Sequence, residues 1–170
     1  MKSLLLIINL VIVGTSVDAQ NPKGFEGECK KNISGTVPLV YANELHKAMN
    51  RPNIITLDAR EENEYEISHL PKAQHIGFDI FDSKLLSSYK KTDTIYVYCS
   101  IGYRSEKTGE RIQKMGFNNV FNLYGGIFNW ANLGYRIVDK NNEQTKAVHG
   151  YNKKWSKLLN EKRCHINLED

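Results

Sequence analysis

From Val37 onward the chain alternates short β-type runs with helix-compatible stretches, and this alternation constrains the fold more than any other feature. Extended runs are read at 37–40, 54–57, 75–76, 94–98 and 120–123, each rich in Val, Ile, Leu, Tyr or Phe. Helix patterns fall between them at 42–49, 61–68, 80–86 and 105–115, and Gly125-Gly126 opens a last one carrying Phe128, Trp130 and Ala131. Strands this short, separated by helices, imply an α/β fold: an open parallel sheet of about five strands with helices on both faces. In such sheets ligands bind beyond the carboxyl ends of the strands.

The remaining segments divide around that unit. Residues 1–19 have the pattern of a signal peptide. Lys2 supplies the positive start, Leu4 to Val13 is apolar apart from Asn9, and Val17-Asp18-Ala19 precedes Gln20 as a cleavage site. The apolar stretch is about half of the roughly 20 residues a spanning helix needs. The expectation is an exported protein, periplasmic in preference to fully secreted, with no membrane association after cleavage. Residues 20–36 read as a polar lead-in, 37–140 as the domain and 141–170 as a C-terminal extension. Tyr151, Trp155, Leu158 and Leu159 share one helical face, so an amphipathic helix over 150–160 is expected to dock on the domain. The net charge of +4 is spread among acids, with no dense basic stripe that would argue for nucleic acid, and a monomer is expected.

The chemistry is concentrated after the run ending at Tyr98. Cys99-Ser100-Ile101-Gly102-Tyr103-Arg104 follows that strand directly and leads into a helix pattern. A loop made tight by Gly102 can turn its backbone N–H groups, together with the following helix N-terminus, onto the Cys99 sulfur. Such a cradle favours the thiolate, the nucleophilic form. Arg104 adds a permanent positive charge suited to an anionic substrate, and Ser105 and Gly109 let the helix approach the sheet closely. The three cysteines are an odd number. With Cys99 as the working thiol, Cys29 and Cys164 could pair as a disulfide across the mature chain, worth up to roughly 5 kcal/mol in the entropic model. The alternative is two unpaired thiols. Cys164-His165 has no second ligand pair at useful spacing, so no metal site is expected, and no cofactor.

These segments resemble the rhodanese-like sulfurtransferases over roughly residues 37–138. Cys99 to Ser105 is similar to the family's active loop. Leu57-Asp58-Ala59-Arg60, with Glu64-Tyr65 and the stretch from His69 to Ile76, resembles its upstream signature, and Asn122 to Trp130 its closing glycine-and-tryptophan segment. Lys72 and Arg136 depart from the pattern, where glycine and proline are common, and both fall in local turns. The resemblance implies a sulfurtransferase that moves a sulfane sulfur from thiosulfate or a similar small anionic donor to cyanide or a thiol through a Cys99 persulfide. In that scheme the Ser100 to Arg104 amides face the sulfur and Arg104 holds the donor's sulfonate end. The side chains of Ser100, Ile101 and Tyr103 shape the mouth, while Asp58 and Arg60 support the loop. His69 and His75 take structural places.

Two other functions compete. In a phosphatase or arsenate reductase the loop is one residue longer, because tetrahedral phosphate needs more room; here only four residues separate Cys99 from Arg104. The other is a non-enzymatic binding module of the same family; such domains often lack the cysteine, so Cys99, Gly102 and Arg104 together argue for activity.

Overall fold

The computed structural model describes residues 20–168. The signal-peptide expectation for 1–19 lies outside the described residues. The chain is a mixed α/β fold built on a five-stranded parallel sheet, in the spatial order β1-β5-β4-β2-β3. The strands are β1 (Leu39–Val40), β2 (Ile54–Asp58), β3 (Gln74–His75), β4 (Thr94–Tyr98) and β5 (Asn119–Leu123). The helices are α1 (Phe25–Asn32), α2 (Ala42–Ala48), α3 (Glu62–Ile67), α4 (Tyr103–Lys114) and α5 (Gly126–Asn132). β4 lies at the centre, paired in register with β2 (Val97 opposite Leu57) and β5 (Val97 opposite Asn122).

Side-chain alternation along the strands produces two cores. Ile55, Leu57, Ile95, Val97 and Val120 pack with Ile112 and Phe117 of the α4 region. Tyr98 and Leu123 face the opposite way, into a larger core with Leu45, Ile127, Phe128 and Trp130. Helices therefore cover both faces of the sheet.

Three segments differ from the sequence reading. The helix expected over 80–86 does not form, and a 3-10 turn at Leu85–Ser88 takes its place. The lead-in contains α1, whose Phe25 and Cys29 are fully buried in the larger core. Two apolar anchors in an otherwise polar eight-residue helix give little periodic signal, and packing is what makes it fold. The amphipathic helix expected over 150–160 does not form. A single 3-10 turn, Trp155–Leu158, stands in its place. The Asn152 side chain accepts the N–H groups of Lys154 and Trp155, and Tyr151 has a positive φ of 63°, so the backbone is committed to a turn before a helix can start. The flanks form β8 (Ala147–His149) and β9 (His165–Asn167), a parallel pair, while β6 (Ile137–Val138) and β7 (Gln144–Thr145) form an antiparallel one. The tail still docks, with Leu158, Leu159 and Cys164 in the larger core. Among the described residues no helix is long and apolar enough to cross a membrane.

Lys72 has a φ of 64°, which accounts for the glycine common at this turn, and its ammonium bonds Asn50 Oδ1 at 2.9 Å.

Candidate active site

Cys99 leaves the carboxyl end of the central strand, and the loop behind it is held from three sides. Gly102 has a φ of 121°, which non-glycine residues rarely adopt, and a Cβ there would meet Ile33 Cδ1 of the α1 end at 2.6 Å. Asn122 of β5 donates from Nδ2 to the Gly102 carbonyl at 2.9 Å and accepts the Ser105 hydroxyl at 2.7 Å. At the third side, the N–H groups of Ile127 and Phe128 donate to the carbonyls of Cys99 and Ser100. Gly126 makes that approach feasible, since a Cβ there would stand 2.1 Å from the Cys99 carbonyl oxygen.

The loop so fixed turns a backbone donor toward sulfur. The Gly102 N–H donates to Cys99 Sγ at 3.1 Å, and the Ser105 hydroxyl lies 3.5 Å from it. Of the five loop amides expected to face the sulfur, Gly102's is the one bonded to it. The Ser105 hydroxyl gives its single proton to Asn122 and so stands beside the sulfur without bonding it strongly, while α4 begins at Tyr103 with first-turn amides that have no acceptor in their own helix. Cys99 is 2% exposed, yet it lines a cavity of about 450 Å³ together with Ser100 and Ile101. Tyr103 and Arg104 line the same cavity, as do Asn32, Glu61, Phe78 and Asp79 from upstream and Tyr151 and Trp155 from the tail.

Arg104 is placed differently from the expectation that it holds a sulfonate. Its guanidinium grips Glu64 with two bonds, 2.5 and 2.8 Å, and donates to Ser100 Oγ at 3.0 Å. Its face lies 5.0 Å from the Tyr151 ring centroid. Burial by itself opposes the charged form. The hydrogen bond to Glu64 and the charges of Cys99 and Glu64 outweigh it and hold Arg104 above its ordinary value. Burial likewise works against ionised Glu64, but Arg104's hydrogen bonds and charge, then Arg60's charge, prevail and hold the carboxyl below its ordinary 4.5. A folded value below the unfolded one means stability fully present above about pH 4.5 and lost as pH falls through the folded value. Melting midpoints measured down an acid series should therefore show wild type converging on Glu64→Gln. A gap that stays constant with pH would remove the linkage.

Asp58 and Arg60 form a second pair, wholly buried behind the loop, with Arg60 Nη2 2.7 Å from Asp58 Oδ2. Arg60 Nη2 also donates to the Ser68 carbonyl at 2.6 Å, and Asp58 Oδ1 accepts the Arg60 backbone N–H. Burial disfavours the charged guanidinium, but Asp58's charge and hydrogen bond more than offset it and raise its proton affinity. The pair ties the end of β2 to the segment after α3 and does not line the cavity. His69 and His75 bond the carbonyls of Tyr65 and Arg60, at 3.0 and 2.8 Å, in the structural places expected for them.

The bridge between Cys29 and Cys164 is not formed; all three cysteines are free and buried. Cys164 lies against Asn132 of α5, whereas Cys29 is on α1, the helix whose end covers Gly102. Burial, with the charges of Glu26, Cys99 and Glu28, pushes Cys29 up to about 12. Burial pushes Cys164 up to about 11. Both are thiols at neutral pH. Among the described residues no cluster of three or more His, Cys, Asp or Glu side chains is arranged to hold a metal ion.

The sequence reading missed Glu64 as Arg104's partner, Asn122 as the loop's anchor, and the wall built by Phe78, Tyr151 and Trp155. Glu64 and Asn122 stand inside the motifs quoted above, so signal for them existed; the wall residues had none.

A parallel sheet with a glycine-bent cysteine loop at the end of its central strand defines the class, and the family comparison agrees. The rhodanese-like domain model matches residues 41–133, and the chain belongs to that family. Curated relatives include the tRNA uridine(34) hydroxylase of Enterobacter sp. (strain 638), 30% identical over 65% of this chain and 35% of its own. That of Photorhabdus laumondii is 29% identical over 64% and 34%. This chain thus spans about a third of their length. Among solved structures, a Bacillus halodurans protein superposes with a TM-score of 0.60 at 22% identity, covering 79% of this chain and 96% of that one. The thiosulfate sulfurtransferase of Pseudomonas aeruginosa gives 0.56 at 20%, covering 68% and 22%. Both show likeness of fold.

Proposed function

We propose that this protein is a sulfurtransferase working through a persulfide on Cys99. The observation that carries the reading is Cys99 lining a cavity of about 450 Å³ at the end of the central strand, with the Gly102 N–H 3.1 Å from its sulfur. That donor suits a sulfur that is anionic both before and after loading. In the first displacement the Cys99 thiolate attacks the sulfane sulfur of a donor such as thiosulfate. The donor's S–S bond breaks and sulfite leaves with the electron pair. In the second, cyanide or a thiolate attacks the outer sulfur of the persulfide and Cys99 leaves as thiolate. Each half is a nucleophilic substitution, so ping-pong kinetics follow. Arg104 acts through its grip on Glu64 and Ser100, which fixes the loop.

The hydroxylase activity in the relatives' names is that of proteins of which this chain covers about a third, and it is not carried over here. Export to the periplasm, resting on the sequence of residues 1–19, and action as a monomer belong to this same proposal. The test is intact mass after incubation with a sulfane donor. Wild type should gain the mass of one sulfur and lose it on addition of cyanide. A protein whose mass stays unchanged with every donor would leave the family's non-catalytic, binding reading in its place.

A further inference from the structure

The cavity over Cys99 is much larger than a five-atom inorganic anion requires; at about 450 Å³ it falls in the range of sites for organic ligands. Its walls are aromatic on several sides: Phe78 precedes the segment leading to β4, Tyr103 opens α4, and Tyr151 and Trp155 come from the tail. Tyr103 and Tyr151 are about half exposed there, 48% and 49%. Flat apolar surfaces held open in this way suit a flat apolar guest.

Charge points the same way. Among the described residues lining the cavity, Arg104 is the one cationic side chain, and it is already neutralised by Glu64 and covered on one face by Tyr151. The other charged liners are the carboxylates of Glu61 and Asp79, with Glu61 Oε1 3.9 Å from Arg104. A dianion such as thiosulfate therefore meets a lining with no unpaired cation and two carboxylates, and each like charge repels it.

We infer that the sulfur donor is an organic compound carrying an aromatic ring or similarly flat apolar group and at most one negative charge. This rests on the persulfide reading and narrows its substrate class. An aryl thiosulfonate serves as the probe. The Cys99 thiolate attacks its sulfane sulfur, the S–S bond breaks, and the aryl sulfinate departs with the electron pair, so no outside oxidant or reductant is needed.

The experiment follows loading of Cys99 by intact mass with thiosulfate, methanethiosulfonate and benzenethiosulfonate. Each rate is divided by that of a small free thiol, to remove intrinsic reactivity. Benzenethiosulfonate should load at least about ten-fold faster than methanethiosulfonate, the scale of one or two good ring contacts, and thiosulfate slowest of the three. The double variant Tyr151→Ala/Trp155→Ala, and separately Phe78→Ala on a different segment, should bring the aryl-to-methyl ratio toward one. Glu61→Gln/Asp79→Asn should raise thiosulfate loading several-fold relative to methanethiosulfonate. Loading with an aryl-to-methyl ratio near one in wild type, or fastest with thiosulfate, would overturn the inference while leaving the persulfide intact. Loading by none of the three would overturn the persulfide and this inference with it.

Discussion

Replacement of Cys99 by serine is expected to lower sulfur transfer by at least about 10³-fold, the scale of losing a covalent nucleophile whose partners act as a unit with it. A serine hydroxyl stays protonated at neutral pH and cannot carry sulfur as a persulfide, so the whole two-step route closes. The substitution changes one atom in a side chain that contributes little apolar area. The Gly102 N–H and Ser105 hydroxyl can both bond an oxygen in the same position. The melting midpoint should therefore stay near that of wild type. Steady-state rates with any productive donor, measured beside a thermal melt, check both halves of the statement. Residual turnover within ten-fold of wild type would mean that the sulfur passes elsewhere, and the role given to the cradle would be lost.

The second large effect is on stability. Asp58→Ala leaves the Arg60 guanidinium charged, wholly enclosed, and deprived of its carboxylate. Breaking a buried pair from one side costs about 3–5 kcal/mol, because the remaining ion has been taken out of water without compensation. Arg60 Nη1 already has no hydrogen-bond partner, so the guanidinium has little to fall back on beyond the Ser68 carbonyl. Removing both charges together, as in Asp58→Asn/Arg60→Met, should cost much less than the single change. Chemical denaturation of the two variants separates the outcomes. Equal losses in both would show that the pair matters for packing alone.

How much of this could be read from the chain depends on the distance in sequence over which each feature is encoded. The Cys99 loop was legible because six consecutive residues carry it and the strand before it is unmistakable. The same holds for the parallel sheet, whose strands recur with helices between them. Arg104 is the instructive failure. Its charge was visible, but its partner Glu64 lies forty residues upstream, and only the packing of α3 against the loop turns an apparent anion receptor into a structural tie. Asp58 and Arg60 went better, since residues two apart at a strand end can meet without help from the rest of the fold. α1 was hidden by its polar composition, and Cys29 by the helix that carries it. Trp155 packs on the core as its place in the pattern predicts, whereas Tyr151 stands half exposed, and neither lies on a regular helix. The Asn152 turn redirects both side chains toward Cys99, an outcome that depends on the pairing of β8 with β9 and so on contacts no local window contains.

That pairing has a consequence for how such a protein changes over time. The stretch shared with the family ends at residue 133, while two aromatic residues of the entrance come from beyond it, on a tail anchored by its own small ribbon. Part of what frames the entrance is thus written in the gene beyond the stretch that carries the reactive loop. A changed tail can reshape that side of the entrance while the Gly102 N–H keeps its hold on the reactive atom.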